Sequence, residues 1–215
     1  MTSEKQNSQE TPLTYLCDFL LSSVIFSVFI FNDGYPEIIN EVKQLIGEDI
    51  ILWGSSLFCK AQKTGNETPW HQDGEYWPIK PLESVTIWLA IDEVTSENGP
   101  LQYIPGSHLN KSLAEHETLD KKNITLNQTL KNIDKLKEKS KYVTLQPGMF
   151  SIHDVYLFHG SKANYSGKRR AGLTYRYMPA TSLFDHEGAR EIEKKIGYSL
   201  PVSYTHLTLP TSDLV

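Results

Sequence analysis

The chain has 215 residues, 39% of them hydrophobic and 22% charged, and a formal net charge of −5. That length suffices for one domain with a full core. The acidic balance argues against nucleic acid or an anionic membrane as the main partner, since both require a basic face. Two cysteines without metal-type spacing, Cys17 and Cys59, argue against a disulfide framework and for a reduced, cytoplasmic setting.

Residues 1–12 are polar and predict a disordered N-terminus. Residues 13–31 form a strongly apolar run. Asp18 interrupts it, no Lys or Arg closely precedes it, and its unbroken part falls short of the roughly 20 residues a membrane span needs. It therefore predicts a buried helix or strand. In Pro36–Ile46, apolar residues at Ile38, Ile39, Val42, Leu45 and Ile46 follow the three-and-four rhythm of one helix face, ended by Gly47. Ile50–Phe58 predicts a strand, residues 60–68 a polar loop, and Ser84–Ile91, β-branched and aromatic, a strong strand. The turn signals Asn98-Gly99-Pro100 and Pro105-Gly106-Ser107 bracket a short strand at Leu101–Ile104.

Residues 111–141 lack Gly and Pro and read as a surface excursion, with a helix predicted over 129–139. Strands are predicted at 142–145, 149–153 and 171–177, and a final helix at 187–196. Residues 202–215 resemble a translated sequencing adaptor and are set apart as an artefactual tail, which removes His206 from consideration. A single domain is thus expected over residues 13–201. Its many short strands and turns point to a mainly β sandwich or barrel with flanking helices.

His71-Gln72-Asp73 is the first chemical signal. In an extended segment residues i and i+2 share a face, so His71 and Asp73 present an imidazole and a carboxylate to one ion. Two histidines and one carboxylate form the facial triad of non-haem iron(II) oxygenases, which leaves three positions open. The triplet alone is weak evidence. The second histidine must come from elsewhere, with His153 and His159 as the candidates. His108 reads as a turn histidine bonding backbone, and His116 and His186 as exposed.

Read together, three segments carry more. They are Trp70-His71-Gln72-Asp73-Gly74, then Asn98-Gly99-Pro100-Leu101 leading to Pro105-Gly106-Ser107-His108, then His159-Gly160-Ser161 with Asn164, Ser166 and Arg170. In this order they resemble the phytanoyl-CoA dioxygenase family over about residues 47–177. The resemblance implies a double-stranded β-helix of jelly-roll or cupin-like type. It also implies an iron(II)- and 2-oxoglutarate-dependent dioxygenase that uses O2, hydroxylates a small organic molecule and releases succinate and CO2. It chooses His159 over His153, because His159 precedes Gly-Ser and lies eleven residues before Arg170. The metal ligands it implies are His71, Asp73 and His159. Arg170, Ser161, Trp88 and Gln72 would line the co-substrate site. A guanidinium suits the distal carboxylate, because it offers two parallel donors. Arg169 and Arg176 are its rivals, Arg169 on the opposite strand face and Arg176 on the same one.

A small-molecule substrate is the expected partner, without nucleic acid or membrane. Trp77, Trp88, Phe150 and Phe158 are expected to supply a dry wall, and Tyr76, Trp77 and the excursion after Lys111 to shape the pocket. A cupin-like isomerase or hydrolase on zinc or manganese, and an inactive binding domain of the same fold, are the competing readings.

Overall fold

The computed structural model describes residues 36–197. The polar start, the apolar run 13–31 and the tail 202–215 lie outside the described residues.

Helix α1 (Pro36–Ile46) forms where the apolar rhythm places it, burying Ile38 and Val42 one turn apart. Gly47, at φ +96°, ends it. A left-handed residue at that position suits glycine, and its N–H closes the last turn on the Lys43 carbonyl at 2.9 Å.

Two four-stranded antiparallel sheets follow. One has the order β1 (Ile50–Lys60), β11 (Arg170–Pro179), β4 (Val85–Ala90), β9 (Phe150–Asp154). The other has the order β2 (Thr68–His71), β10 (His159–Ser161), β5 (Leu101–Tyr103), β8 (Lys141–Tyr142). Both are built from strands distant in sequence, and this pairing is the jelly-roll, double-stranded β-helix arrangement. β4 is buried at every position and β11 at nearly every one, as central strands covered on both faces must be. A small pair joins β3 (Ile79–Lys80) to β12 (Leu183–Phe184). Helix α3 (His186–Ile196) is capped by Asp185, whose side chain accepts from the N–H groups of Glu187 and Gly188.

The excursion departs from expectation. In place of a helix over 129–139 there is a hairpin of β6 (His116–Thr118) and β7 (Gln128–Leu130), then a four-residue helix α2 (Asp134–Lys137). The three-residue spacing of Leu130, Ile133 and Leu136 imitates a helix face. Gln128 and Leu130, however, are buried in strand alternation, and Leu130 and Ile133 pack with Trp70 and Ile104. Thr129 donates to the Trp70 carbonyl at 3.2 Å and so ties the hairpin to β2. Among the described residues no helix is long and apolar enough to cross a membrane.

Candidate functional site

A cavity of about 300 Å³ opens between the two sheets. That volume is at the lower end for small-molecule sites. β2 and β10 deliver histidines to it from adjacent positions, because His71 and His159 are direct cross-strand partners. Asp73 follows two residues after His71, in a 3-10 turn over Asp73–Glu75.

Each histidine is oriented by its own backbone. Nδ1 of His71 lies 2.8 Å from the Pro69 carbonyl, and Nδ1 of His159 lies 2.9 Å from the Leu157 carbonyl. A carbonyl only accepts, so each Nδ1 carries a proton and each Nε2 is the nitrogen turned to the cavity. These Nε2 atoms face Asp73 Oδ1 at 3.5 and 3.6 Å. Burial would raise the Asp73 pKa, but His159, His153 and His71 outweigh it and hold the carboxyl well below the usual range. Burial and the neighbouring His71 push the His159 imidazole well below its ordinary value. An ionised carboxylate and the Nε2 atoms of two imidazoles therefore converge on one point, within 4.8 Å of one another. Such convergence is favourable only around a cation, and the donor set suits a divalent ion with open positions.

Asp73 is also held from behind. Thr86 donates to Oδ2 at 3.1 Å, and His153 Nε2 stands 3.4 Å from the same oxygen. The other His153 nitrogen meets the Tyr103 hydroxyl at 2.9 Å, which in turn meets Ser151 Oγ at 3.0 Å. His153 thus faces the far oxygen of the carboxylate, while His159 shares the near one with His71. Such outer partners fix ligand orientation.

At the other end stands Arg170, buried on β11. Its Nε and Nη2 both donate to the Gly99 carbonyl, at 3.1 and 2.7 Å, and its guanidinium lies 5.1 Å from the Trp88 ring. Burial pulls its pKa down to about 10, which leaves it charged at neutral pH. Arg169, one residue earlier, points outward into a bidentate pair with Asp92 at 2.8 Å. Trp88 lies across Gly172, where a Cβ would fall 2.2 Å from the ring. Ser161 and Trp88 line the cavity beside Arg170.

Several expectations need correcting. Gln72 does not line the cavity. Its amide donates to the Ser112 and Tyr156 carbonyls at 2.9 and 2.8 Å and accepts from the Ala114 N–H at 2.7 Å, so every part of it serves to join three chain segments. His116 is buried, not exposed: its Nε2 accepts from the Gln72 N–H and its Nδ1 stands 3.6 Å from Glu75. The His108 side chain makes no backbone bond, since its Nδ1 has no partner, although its carbonyl accepts from the Lys111 N–H. Of the four expected wall aromatics, Trp77 and Trp88 line the cavity; Phe150 and Phe158 do not, and Phe158 packs on the Trp70 cluster. The excursion contributes Thr125 and Leu126 to the wall, and Tyr76 joins them.

Lys60 was hidden by its place in an apparently polar loop. It is buried at the end of β1, paired with Arg170 in register, and its Nζ donates to the carbonyls of Asn66, Ser161 and Lys162 at 2.5, 3.2 and 2.6 Å. Burial and the Arg170 charge pull its pKa down to about 7. Only strand register reveals it.

A jelly roll whose facing sheets bring two histidines and a carboxylate to one cavity, with a buried arginine beyond them, has the make-up of a cupin-like oxygenase, its three side chains placed where they could hold one metal ion. The phytanoyl-CoA dioxygenase (PhyH) family profile matches residues 18–172, and the chain belongs to that family, which depends on iron(II), 2-oxoglutarate and O2. It is 27% identical over 146 residues to a probable alpha-ketoglutarate-dependent hypophosphite dioxygenase of Stutzerimonas stutzeri, covering 67% of this chain and 50% of that protein. It is 28% identical over 177 residues to a probable phytanoyl-CoA dioxygenase of Caenorhabditis elegans, covering 78% and 55%. A solved non-heme monooxygenase, ThoJ, superposes with a TM-score of 0.61 at 25% identity, covering 70% of this chain and 54% of that one. The chain spans about half the length of the curated relatives it matches.

Proposed function

We propose that the chain is a 2-oxoglutarate-dependent dioxygenase that hydroxylates a small organic molecule, with His71, Asp73 and His159 as the iron(II) ligands. One observation carries this reading: two cross-strand imidazoles, with Nδ1 committed to backbone, aim Nε2 at a buried carboxylate oxygen. Iron(II) bound there would supply the oxidation of a substrate C–H bond to C–OH by O2, whose other oxygen atom enters succinate as 2-oxoglutarate loses CO2.

The chain's own residues position and exclude. Arg170 takes the distal carboxylate of 2-oxoglutarate, with Ser161 and Trp88 beside it, and Trp88 together with Gly172 keeps that end narrow and dry. Thr86 and His153 hold the second oxygen of Asp73 so that the first faces the ion. Because Asp73 supplies a carboxylate, no ligand position is freed for a halide, and hydroxylation is favoured over halogenation. A zinc or manganese isomerase would share the three ligands. The buried Arg170 at the far end of the same cavity favours the oxygenase.

The test is anaerobic addition of iron(II) and 2-oxoglutarate to the purified chain. A weak visible charge-transfer band is expected. Asp73→Ala and His159→Ala should each abolish it, and Arg170→Ala should raise the 2-oxoglutarate concentration needed by at least tenfold while metal binding persists. A normal band in both ligand variants refutes the assignment.

A further inference from the structure

Arg176 is a second inward-facing arginine on β11, and the co-substrate reading gives it nothing to do. It lines the cavity at the end away from Arg170. Its register partner on β4 is Thr86, the residue that holds Asp73, so it stands on the metal side of the pocket. Its Nη1 donates to Ser56 Oγ at 3.0 Å. Its Nε is buried without a hydrogen-bond partner. Among the described residues no carboxylate pairs with it, whereas Arg169, Lys168, Lys111 and Lys131 all have acidic partners. The guanidinium is instead flanked by rings, 5.6 Å from Trp77 and 6.0 Å from Phe58.

Arg176 is half-buried, and leaving its buried Nε without a partner is costly; a fold that needed only packing there would be better served by an apolar side chain. The charges of the cavity wall point the same way. Among the described residues that line it, the cations are Lys60, Arg170 and Arg176, and the one carboxylate is Asp73. In the proposed reading, Asp73 belongs to the metal, and the two carboxylates of 2-oxoglutarate are matched by the metal and by Arg170. Arg176 is left over. Beside it the wall is aromatic, made by Trp77 and Phe58.

We propose that this end of the cavity is the substrate site for an organic acid, whose carboxylate is paired with Arg176 and whose carbon skeleton packs on Trp77 and Phe58. The proposal rests on reading the cavity as the oxygenase site. A planar oxyanion matches the guanidinium fork bidentately, and flanking rings that hold the fork in plane reduce the entropy lost on binding. Anchoring one end of the substrate leaves its carbons lying toward the metal ligands, which is where a C–H bond has to be presented.

The test uses the full chain with iron(II) and saturating 2-oxoglutarate under anaerobic conditions, titrated calorimetrically with matched pairs. These are hexanoate and hexanamide, and 4-phenylbutanoate and 4-phenylbutanamide, with phenyl phosphate as a further arm. The acids should bind at least tenfold more tightly than their amides. Arg176→Met should remove that preference. Arg176→Lys should restore only part of it, because a point charge lacks the fork, and this variant carries the test if the Met variant does not fold. Phenyl phosphate binding in preference to both acids would reassign the site to phosphate esters and overturn the carboxylate assignment. Equal binding of acids and amides overturns the proposal, as does an acid preference that survives in Arg176→Met. So does competition between the acids and 2-oxoglutarate, which would put them on Arg170. Repeating the titration on metal-free protein separates this proposal from the oxygenase reading. An Arg176-dependent acid preference without any iron(II)–2-oxoglutarate band would sink the oxygenase and leave the anion site standing.

Discussion

Two residues back from each of His71 and His159 stands a carbonyl that accepts a hydrogen bond from the imidazole's Nδ1, so the strand's own pleat turns both Nε2 atoms to the cavity. The same intimacy governs the Arg170 end of the cavity. Gly172 exists in this sequence because Trp88 occupies the space of its missing Cβ, with 2.2 Å separating that position from the ring. Gly172→Ala should force the indole off Arg170 and cost about 1–3 kcal/mol of stability through overpacking. Urea denaturation measures the loss, and 2-oxoglutarate affinity should fall with it. Unchanged affinity would mean that Trp88 does not shape that site. At this scale the sequence was legible where a side chain's chemistry is local. His71 and Asp73 share a face by strand periodicity, and Arg169 and Arg170 separate by the same rule. Lys60 and Thr86 were not legible, because their importance comes from cross-strand neighbours that no local pattern encodes.

The elements show a matching division. Helix α1 and strand β4 appear where their periodicity puts them, since each carries a full face of apolar residues. The hairpin β6–β7 defeated pattern reading because its buried positions are spaced like a helix while its neighbours impose a strand. Gln72 misled in another way. Sitting between two candidate ligands, it looked like part of the pocket, yet strand alternation turns it away from the cavity. It staples the segments around Ser112, Ala114 and Tyr156 to the end of β2. Gln72→Ala leaves two carbonyls and one N–H without that partner and should cost about 3 kcal/mol. A lowered urea midpoint with an unchanged m-value is the expected signature. A wild-type midpoint would show that water replaces the amide without loss.

For the whole molecule, buried His159 and Asp73 tie stability to pH. The folded state keeps His159 neutral well below its ordinary pKa of 6.5, whereas the unfolded chain takes up a proton near that value. Below it the unfolded state binds more protons, so stability falls as pH falls. Asp73 adds a further loss below 3.8, because its folded carboxyl stays ionised where the unfolded one is protonated. The metal-free chain should therefore melt at progressively lower temperature as pH drops from about 7 to about 5. A flat melting curve over that window would mean that the imidazole takes up its proton in the folded state. The fold class itself was legible as many short strands broken by turns, whereas which strand pairs with which was not, because β1–β11 and β2–β10 join segments from opposite ends of the domain.

The His71–His159 pairing carries a kinetic consequence. An ion held by both histidines is a removable cross-link between two strands that the chain brings together only after closing a long loop. Releasing it would have to precede their separation. Loading with metal should therefore act on the protein as a clasp does, slowing the opening of the β2–β10 seam more than it hastens its formation.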